Sequence, residues 1–333
     1  MKVYPPIRTG TVVLIFVAAF CGWGVRLAAA GSHSSLNRSL VVSDPPAVSS
    51  SLSPPASGVR VTYLGTNGYL LESIDSAILI DPYFSRIALL PVALNSPIKS
   101  NTPRVRLGLA RLPRQIDGIL VTHGHFDHLL DVPEIARRTG ARVIASPTSC
   151  HLSQAAGVSA SDTVSLRAGS SVRLGSVRVH ALPAVHDLIF GVMPFPGVRT
   201  SVPTNAPVRP SDWVCGEPLA FLVQIGGKRI YVDSGGTPAA LPSMDVGPVD
   251  LAILGVSLPD SRKRLVPALR RLRPRYVLPS HQDDFFRPLS DGFRFGSMTK
   301  FSAVLRSVEK YRSDSPEPSR LILLDYFAPW TLN

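Results

Sequence analysis

Short apolar runs bounded by glycine, proline or polar turns make up most of the chain from Val59 onward. Residues 59–64 alternate apolar and polar side chains as a β-strand does, and residues 69–73 return after a turn at 65–68. Apolar runs at other positions predict further strands. They lie at 77–81, 118–122, 142–145, 219–225, 229–232, 250–254, 275–278 and 320–326, with two short strands around Gly175 between 171 and 182.

Helical spacing of apolar residues occurs in four other segments, with only weak helical signals between 82 and 117. The predicted helices are 129–138, 147–156, 262–272 and 299–311. Residues 187–216 are rich in proline, and little regular structure is expected there. Hairpins interleaved with helices predict an α/β layered fold, and we expect one domain over residues 59–333.

The first 30 residues contain the parts of a secretory signal peptide. Lys2 and Arg8 precede an apolar run over residues 11–25, and Ala28–Ala30 offers a cleavage site. The run is shorter than the roughly 20 residues that a membrane span needs. We therefore predict export to the periplasm or the extracellular space. An uncleaved membrane anchor through residues 11–25 is the alternative, and a lipoprotein signal through Cys21 is less favoured.

Residues 31–58 are rich in serine and proline and predict a flexible linker. After export, Cys150 and Cys215 would be in an oxidising compartment. A disulfide between them and two buried thiols both remain open.

Composition narrows the choice of function without deciding it. Apolar residues make up 45% of the 333 residues, enough for a large core, and 25 glycines with 31 prolines argue against a helical bundle. The formal charge of +12, from 35 basic and 23 acidic residues, favours anionic partners. Since no dense basic run occurs, nucleic acid is not the expected partner.

The sequence HGHFDH at residues 123–128 is the strongest chemical signal. It follows directly after a predicted buried strand. His123 and His125 are two positions apart, so their side chains would project to the same side of an extended chain. Imidazole and carboxylate ligands suit zinc, iron or manganese. The four candidate ligands are His123, His125, Asp127 and His128.

This pattern resembles the metallo-β-lactamase superfamily. The resemblance implies an αββα sandwich with a site for one or two metal ions and three further ligands. His186 fits in the sequence PAVH, His281 fits in LPSH, and Asp233 fits before Ser234-Gly235-Gly236, where Val232 replaces a glycine of the family pattern.

The resemblance also implies how the ligands divide between two divalent cations. Zn²⁺ is the first expectation, with iron or manganese as alternatives. Asp233 would bridge the cations and Asp127 would orient the attacking water, so these two are the candidate catalytic residues. The first cation would take His123, His125 and His186, and the second would take Asp127, His128 and His281.

Asp81 ends a predicted strand where the family often has an acid that hydrogen-bonds a ligand histidine. The other interpretation is that Asp81 and Pro82 simply begin a turn. Residues 63–69 and 80–84 resemble the branch that contains ascorbate-6-phosphate lactonase and N-acylphosphatidylethanolamine phospholipase D. The loop 187–216 matches no pattern, and its larger apolar residues either line a pocket or rest on a sheet. They are Phe190, Met193, Phe195 and Trp213.

The function that follows from this resemblance is a binuclear metal-dependent hydrolase. A metal-bridging hydroxide would attack a phosphodiester or a lactone or other ester, in a small-molecule or lipid-like substrate. An iron-dependent oxidoreductase on the same fold is the main alternative. β-Lactam hydrolysis ranks below it, and a full ligand set argues against a non-catalytic binding module.

Overall fold

The structure, a computed structural model, describes residues 54–189, 191–235, 246–315 and 319–333. The predicted targeting segment and the linker up to residue 53 lie outside these ranges. None of the helices in the described ranges combines the length and apolar character needed to cross a membrane.

Seven strands form the first sheet, in the order β14-β1-β2-β3-β4-β5-β6. The pairs among β14, β1, β2 and β3 are antiparallel and those from β3 to β6 are parallel. The strands are β1 Val59–Gly65, β2 Gly68–Glu72, β3 Ala77–Ile80, β4 Gly118–Leu120, β5 Arg142–Ala145, β6 Thr163–Ser165 and β14 Pro329–Leu332.

Seven more strands form the second sheet, in the order β13-β12-β11-β10-β9-β8-β7. Here β7 to β10 are antiparallel and β10 to β13 are parallel. The strands are β7 Ser171–Leu174, β8 Val177–Pro183, β9 Leu219–Ile225, β10 Lys228–Val232, β11 Leu251–Gly255, β12 Tyr276–Ser280 and β13 Arg320–Leu321.

Helices cover the outer face of each sheet. In the described residues, α1 to α5 pack on the first sheet and α6 and α7 on the second. They are α1 Leu89–Ala93, α2 Thr102–Leu109, α3 Phe126–Leu129, α4 Val132–Thr139, α5 Pro147–Ala155, α6 Pro259–Leu272 and α7 Phe301–Ser313.

The apolar core lies between the two sheets and beneath each layer of helices. Val61 and Ile78 of the first sheet and Val179 and Ile253 of the second meet in the central layer, each with 0% exposure. Burying such a side chain contributes about 1.5–3 kcal/mol, so the facing sheets stabilise one another. The predicted αββα sandwich is confirmed.

The helix predicted over 129–138 is wrong as one element, because the chain forms α3 and α4 separately. Pro133 lies in the first turn of α4 and has no N–H to continue a helix from α3. The side chain of Asp131, between the two helices, accepts hydrogen bonds from the backbone N–H groups of Phe84 (2.7 Å) and Ser85 (2.7 Å).

The single strand predicted over 320–326 is also wrong. β13 ends at Leu321, Ile322 and Leu324 are buried against the central layer, and the chain then crosses to the first sheet. There β14 pairs antiparallel with β1, and Val59 lies opposite Leu332. The short strand β6 and the strand β14 have no counterpart in the sequence-based prediction.

Candidate metal centre

The predicted ligands lie where strands of both sheets end. The carboxyl ends of β4, β8, β10 and β12 lead directly into the segments that carry His123, His186, Asp233 and His281. Hairpin and crossover connections bring these four ends to one edge of the sandwich. Residues far apart in sequence therefore meet there.

The loop between β4 and α3 is held by close backbone packing. The N–H of Gly124 donates to the carbonyl of Cys215 at 2.9 Å. A Cβ atom at position 124 would lie 2.3 Å from the carbonyl oxygen of Val214, so only glycine fits. This contact fixes the direction in which His123 and His125 leave the strand.

His123, His125 and His186 form the first donor group, with ligand atoms within 4.8 Å of one another. Nε2 of His123 lies 3.0 Å from Nδ1 of His125. The ring centroid of His186 lies 4.8 Å from that of His123 and 4.6 Å from that of His125. Three imidazoles thus converge on one point.

Asp127, His128 and His281 form the second donor group, again within 4.8 Å. Oδ2 of Asp127 lies 3.1 Å from Nε2 of His281 and 3.4 Å from Nε2 of His128. The ring centroids of His123 and His128 are 4.0 Å apart, so the two groups adjoin. This division matches the one that the resemblance implies.

Asp81 lies beneath the second group with 0% exposure. Its Oδ2 is 2.8 Å from Nδ1 of His128 and accepts hydrogen bonds from Nδ2 of Asn67 (2.8 Å) and Oγ1 of Thr122 (2.6 Å). Oδ1 accepts from the N–H of Thr122 at 2.8 Å. The carboxylate is therefore anchored and orients the His128 ring.

Asp233 follows β10 and is also fully buried. Its Oδ1 accepts a hydrogen bond from the N–H of Gly255 at 3.1 Å. It lies at the same edge, but neither three-residue group includes it. Its role as a bridging ligand stays a prediction.

The pKa of His128, in the second group, shifts in the opposite direction from the pKa values of the three histidines in the first group. Burial, with the charges of neighbouring histidines, lowers the pKa of His123 and His125 well below the usual value, and burial lowers that of His186 to about 4. Burial also lowers the pKa of His128, but the Asp127 and Asp81 carboxylates outweigh it and raise this pKa to about 10.

These shifts fit a metal site. The first group consists of neutral imidazoles, which are the form that binds metal. In the second group, burial would raise the pKa of Asp127, but His128 and His281 hold it well below its ordinary value. Nδ1 of His281 is buried without a hydrogen-bond partner among the described residues. The donor set therefore suits divalent cations with a preference for nitrogen and oxygen ligands.

A cleft of about 950 Å³, including the space open to solvent, lies over both groups. Pro194 and Phe195 of the 187–216 loop line it, whereas Trp213 is buried in the core under the first sheet's helices. Met193 is half-buried and does not line the cleft, and Phe190 lies outside the described residues. Of the loop's larger apolar residues, Phe195 therefore lines the cleft and Trp213 packs in the core.

A buried ion pair lies close to the second donor group. The guanidinium of Arg86 is buried and pairs with Asp283, two residues after His281. No motif marks this pair, and the residues are 197 positions apart, so the sequence analysis missed it.

Cys150 and Cys215 are both buried free thiols.

The fold and the two donor groups define a class of metalloprotein with an αββα sandwich and ligands on loops at one sheet edge. The family model described as "Beta-lactamase superfamily domain" matches residues 76–282, more than half of the chain. The chain belongs to the metallo-β-lactamase superfamily. Its relatives support an enzyme of this superfamily, a metal-dependent hydrolase, and the narrower branch stays a prediction.

A UPF0173 metal-dependent hydrolase from Rubrobacter xylanophilus is 31% identical over 237 residues, covering 68% of this chain and 83% of that protein. Among solved structures, Igni18, a metallo hydrolase from Ignicoccus hospitalis, has a TM-score of 0.52 at 18% identity, covering 83% of this chain and 100% of that chain. CmlA, a diiron β-hydroxylase from Streptomyces venezuelae, has a TM-score of 0.53 at 15% identity, covering 84% of this chain and 55% of that chain. These two likenesses show the fold alone.

Proposed function

We propose that this enzyme hydrolyses an ester bond, in a phosphodiester or in a lactone or other carboxylic ester, at a centre of two divalent cations. Zn²⁺ is the first candidate, with iron or manganese as alternatives. The observation that supports this proposal is the adjacency of two three-residue donor groups beside one cleft.

The cations would polarise the ester oxygen and ionise a water molecule near neutral pH. The first group offers three neutral imidazoles, and the second offers the Asp127 carboxylate with two imidazoles. Asp233, buried at the same edge, would add negative charge between the two groups.

The protein's own groups then have separate tasks. Asp81 fixes the ring of His128 through Nδ1. Asp127 keeps a negative charge at low pH, so its oxygen can accept a hydrogen bond from a water and orient it toward the ester.

The test is a pair of histidine substitutions with metal analysis. His125→Ala should lower the metal content and reduce kcat/KM at least about a hundredfold, because changes behind the ligands alone cost about 10–100-fold. His180→Ala is the matched control, since His180 contacts Ser171 on β7 away from the donor groups. Metal content is measured by elemental analysis, and kcat/KM on phosphodiester, lactone, thioester and β-lactam substrates.

Equal activity of the two variants and the unmodified protein would contradict the proposal. The iron-dependent oxidoreductase is the second candidate, because a seven-ligand set of this kind does not exclude iron. Iron as the only bound metal, with oxygen consumption and no hydrolysis, would favour it. Hydrolysis of a β-lactam above all other substrates would favour the third candidate, a β-lactamase.

The proposal includes a location. We expect export to the periplasm or the extracellular space, with anchoring by residues 11–25 as the alternative. The substrate is then a small molecule or a lipid-like ester present outside the cytoplasm.

A further inference from the structure

Two segments of the chain contain basic residues and no acidic ones. Residues 82–116 contain six lysines and arginines and residues 188–211 contain two, although the whole chain has 23 aspartates and glutamates. Val92 of the first segment and Pro194 and Phe195 of the second line the cleft. An excess of positive charge therefore lies in the two segments beside the cleft.

The same two segments carry most of the exposed apolar side chains. Among the described residues, seven large apolar side chains are exposed, and six of them belong to these segments. Single exposed apolar residues are common on protein surfaces, whereas a contiguous group of them marks an interaction site. The six are Leu90, Leu94, Leu107, Val198, Val202 and Val208.

Hydrogen bonds join the two segments into one surface at the end of α1. The N–H of Ile98 donates to the carbonyl of Val208 at 2.7 Å. Nη1 of Arg209 donates to the carbonyl of Asn95 at 2.8 Å, and Nδ2 of Asn95 donates to Oγ of Ser211 at 2.9 Å. Exposed side chains of both segments are therefore neighbours there.

Leu90 and Leu94 are one helical turn apart at this end of α1. The N–H of Leu94 donates to the carbonyl of Leu90 at 3.0 Å, so the two side chains project from the same face of the helix. They are 67% and 54% exposed. We call the surface formed by Leu90, Leu94, Val208 and the exposed cations Lys99 and Arg209 the docking face.

Acidic residues close to the docking face are engaged by other groups. Oγ of Ser100 lies 2.8 Å from Oδ1 of Asp131 and 2.9 Å from Oε2 of Glu134, and both carboxylates are buried. Asp212 accepts hydrogen bonds from the two backbone N–H groups of residues 208–209. The ion pairs formed among the described residues involve neither cation of the face.

We infer that the docking face binds the surface of a bilayer that contains anionic lipids. Leucine and valine side chains gain free energy by entering the boundary between headgroups and acyl chains, and the headgroup charge attracts lysine and arginine. A nucleic acid would engage the cations and leave the leucines in water, so the combination of both favours lipid.

Docking on this face would bring the cleft close to the lipid surface, since α1 also contributes Val92 to the cleft wall. The inference concerns binding alone and does not depend on the hydrolysis proposed above.

A fluorescent label on the docking face tests this contact in the full chain, whatever the state of its amino-terminal segment. Leu94→Cys is labelled with nitrobenzoxadiazole in a Cys21→Ser background, and the buried thiols of Cys150 and Cys215 stay unlabelled. Ile74→Cys is the matched control, because Ile74 is the seventh exposed apolar residue, with 66% exposure, and lies between β2 and β3.

Vesicles of phosphatidylcholine and phosphatidylglycerol should raise the emission of the label at position 94 at least about twofold, because the label enters apolar surroundings. Brominated acyl chains should then quench it. Vesicles of phosphatidylcholine alone should give a much smaller rise, since they offer no net headgroup charge. The label at position 74 should respond to neither.

Two results of this experiment would overturn the inference. One is a label at position 94 that ignores the anionic vesicles or responds no more than the label at position 74. The other is a label at position 94 that is already in apolar surroundings without vesicles and unchanged by them, which would show that another part of the chain or a second copy covers the face.

A pair of charge variants tests the electrostatic part. Lys99→Gln with Arg209→Gln should raise the vesicle concentration for half the response of the label at least about tenfold, because each cation at an anionic surface contributes about fivefold. Arg173→Gln with Arg178→Gln is the control, since these residues lie opposite each other on β7 and β8 and carry the same charge. Equal effects of the two double variants would contradict the inference.

Two further measurements separate the possible causes. Duplex DNA should leave the label at position 94 unchanged, and a response to DNA as large as that to vesicles would identify a nucleic-acid site and overturn the inference. Metal content and hydrolysis of a soluble ester are measured on every variant. Loss of hydrolysis with a retained vesicle response contradicts the proposed function alone, and hydrolysis without a vesicle response contradicts the present inference alone.

Discussion

Asp81 shows how one buried carboxylate organises several neighbours. It accepts hydrogen bonds from Thr122 and Asn67 and contacts Nδ1 of His128, while the Nε2 of that ring faces Asp127 at 3.4 Å. The backbone at Asp81 has a φ of 40°, in the left-handed region that few side chains adopt. The hydrogen bonds offset that strain and set the imidazole's direction.

The bridging role of Asp233 is tested by Asp233→Asn, which keeps the size of the side chain and removes its charge. If Asp233 lies between two cations, their repulsion is no longer offset, and metal content should fall from about two per chain towards one. The pH at which the attacking water ionises should rise. Elemental analysis and a pH–rate profile measure both effects.

The control is Asp212→Asn, because Asp212 accepts hydrogen bonds only within a turn, from Val208 and Arg209 among the described residues. Asparagine serves turns as well as aspartate does. An Asp233→Asn protein with the metal content and pH profile of this control would show that Asp233 is a turn residue.

At this scale the sequence indicated the donor residues and Asp81, but it missed the Arg86–Asp283 pair. His123, His125, Asp127 and His128 lie in one hexapeptide, so their spacing is visible without a structure. Arg86 and Asp283 carry no local pattern, and only the fold brings them together.

The loop between β4 and α3 is the element on which both donor groups depend. Gly124→Ala would place a Cβ atom 2.3 Å from the backbone carbonyl oxygen of Val214. That oxygen is part of the main chain, so it can move away only if the backbone around Val214 moves with it. We expect the free energy of unfolding to fall by about 1–3 kcal/mol and the metal content to fall with it. Thermal unfolding and elemental analysis measure the two quantities.

Gly169→Ala is the comparison for that substitution. Gly169 has a φ of 91°, and a Cβ atom at this position would meet no heavy atom within 4 Å. The substitution therefore adds only backbone strain, about 1–2 kcal/mol. Its metal content should not change. Equal metal content in both variants would contradict a special role for the tight packing at Gly124.

Elements with long apolar runs were predictable, and those that depend on distant partners were not. β9 and β12 are buried along nearly their whole length, so their sequences read as strands. β6 has three residues and a partly exposed pattern, and β14 becomes a strand only by pairing with β1. A local pattern contains no information about such a partner.

Across the whole molecule, the Arg86–Asp283 pair joins segments that are 197 positions apart in the chain. Arg86 also donates to Oγ1 of Thr66 (2.9 Å), and the Tyr326 hydroxyl donates to Asp283 (2.7 Å). The N–H of Thr66 donates to Asp283 at 3.0 Å, and the carbonyl of Thr66 accepts from the N–H of His281 at 2.8 Å. The network therefore links the β1–β2 turn to the segment of His281.

Arg86→Met should lower the free energy of unfolding by about 3–5 kcal/mol, because Asp283 would be left buried without its cation. Arg86→Met combined with Asp283→Leu should recover part of that loss, since no charge then remains uncompensated. Urea unfolding of the single and double variants measures both values. A double variant less stable than the single one would show that the pair contributes more than charge compensation.

The predicted export also concerns the whole molecule. The mature protein from an exported fraction should begin near Gly31, since the Ala28–Ala30 site precedes it. Amino-terminal sequencing measures this. An intact Met1 in a membrane pellet would indicate the anchor, and an intact Met1 in soluble cytosol would contradict export.

The pairing of β14 with β1 has a consequence for how the molecule is assembled during synthesis. Val59 pairs with Leu332, so the first strand of the described fold has as its outer neighbour the strand of that fold that is synthesised last. Throughout the intervening translation, β1 presents unpaired N–H and C=O groups that another nascent chain could join. The outer edge of β1 therefore stays open until nearly the whole of the described fold has been synthesised.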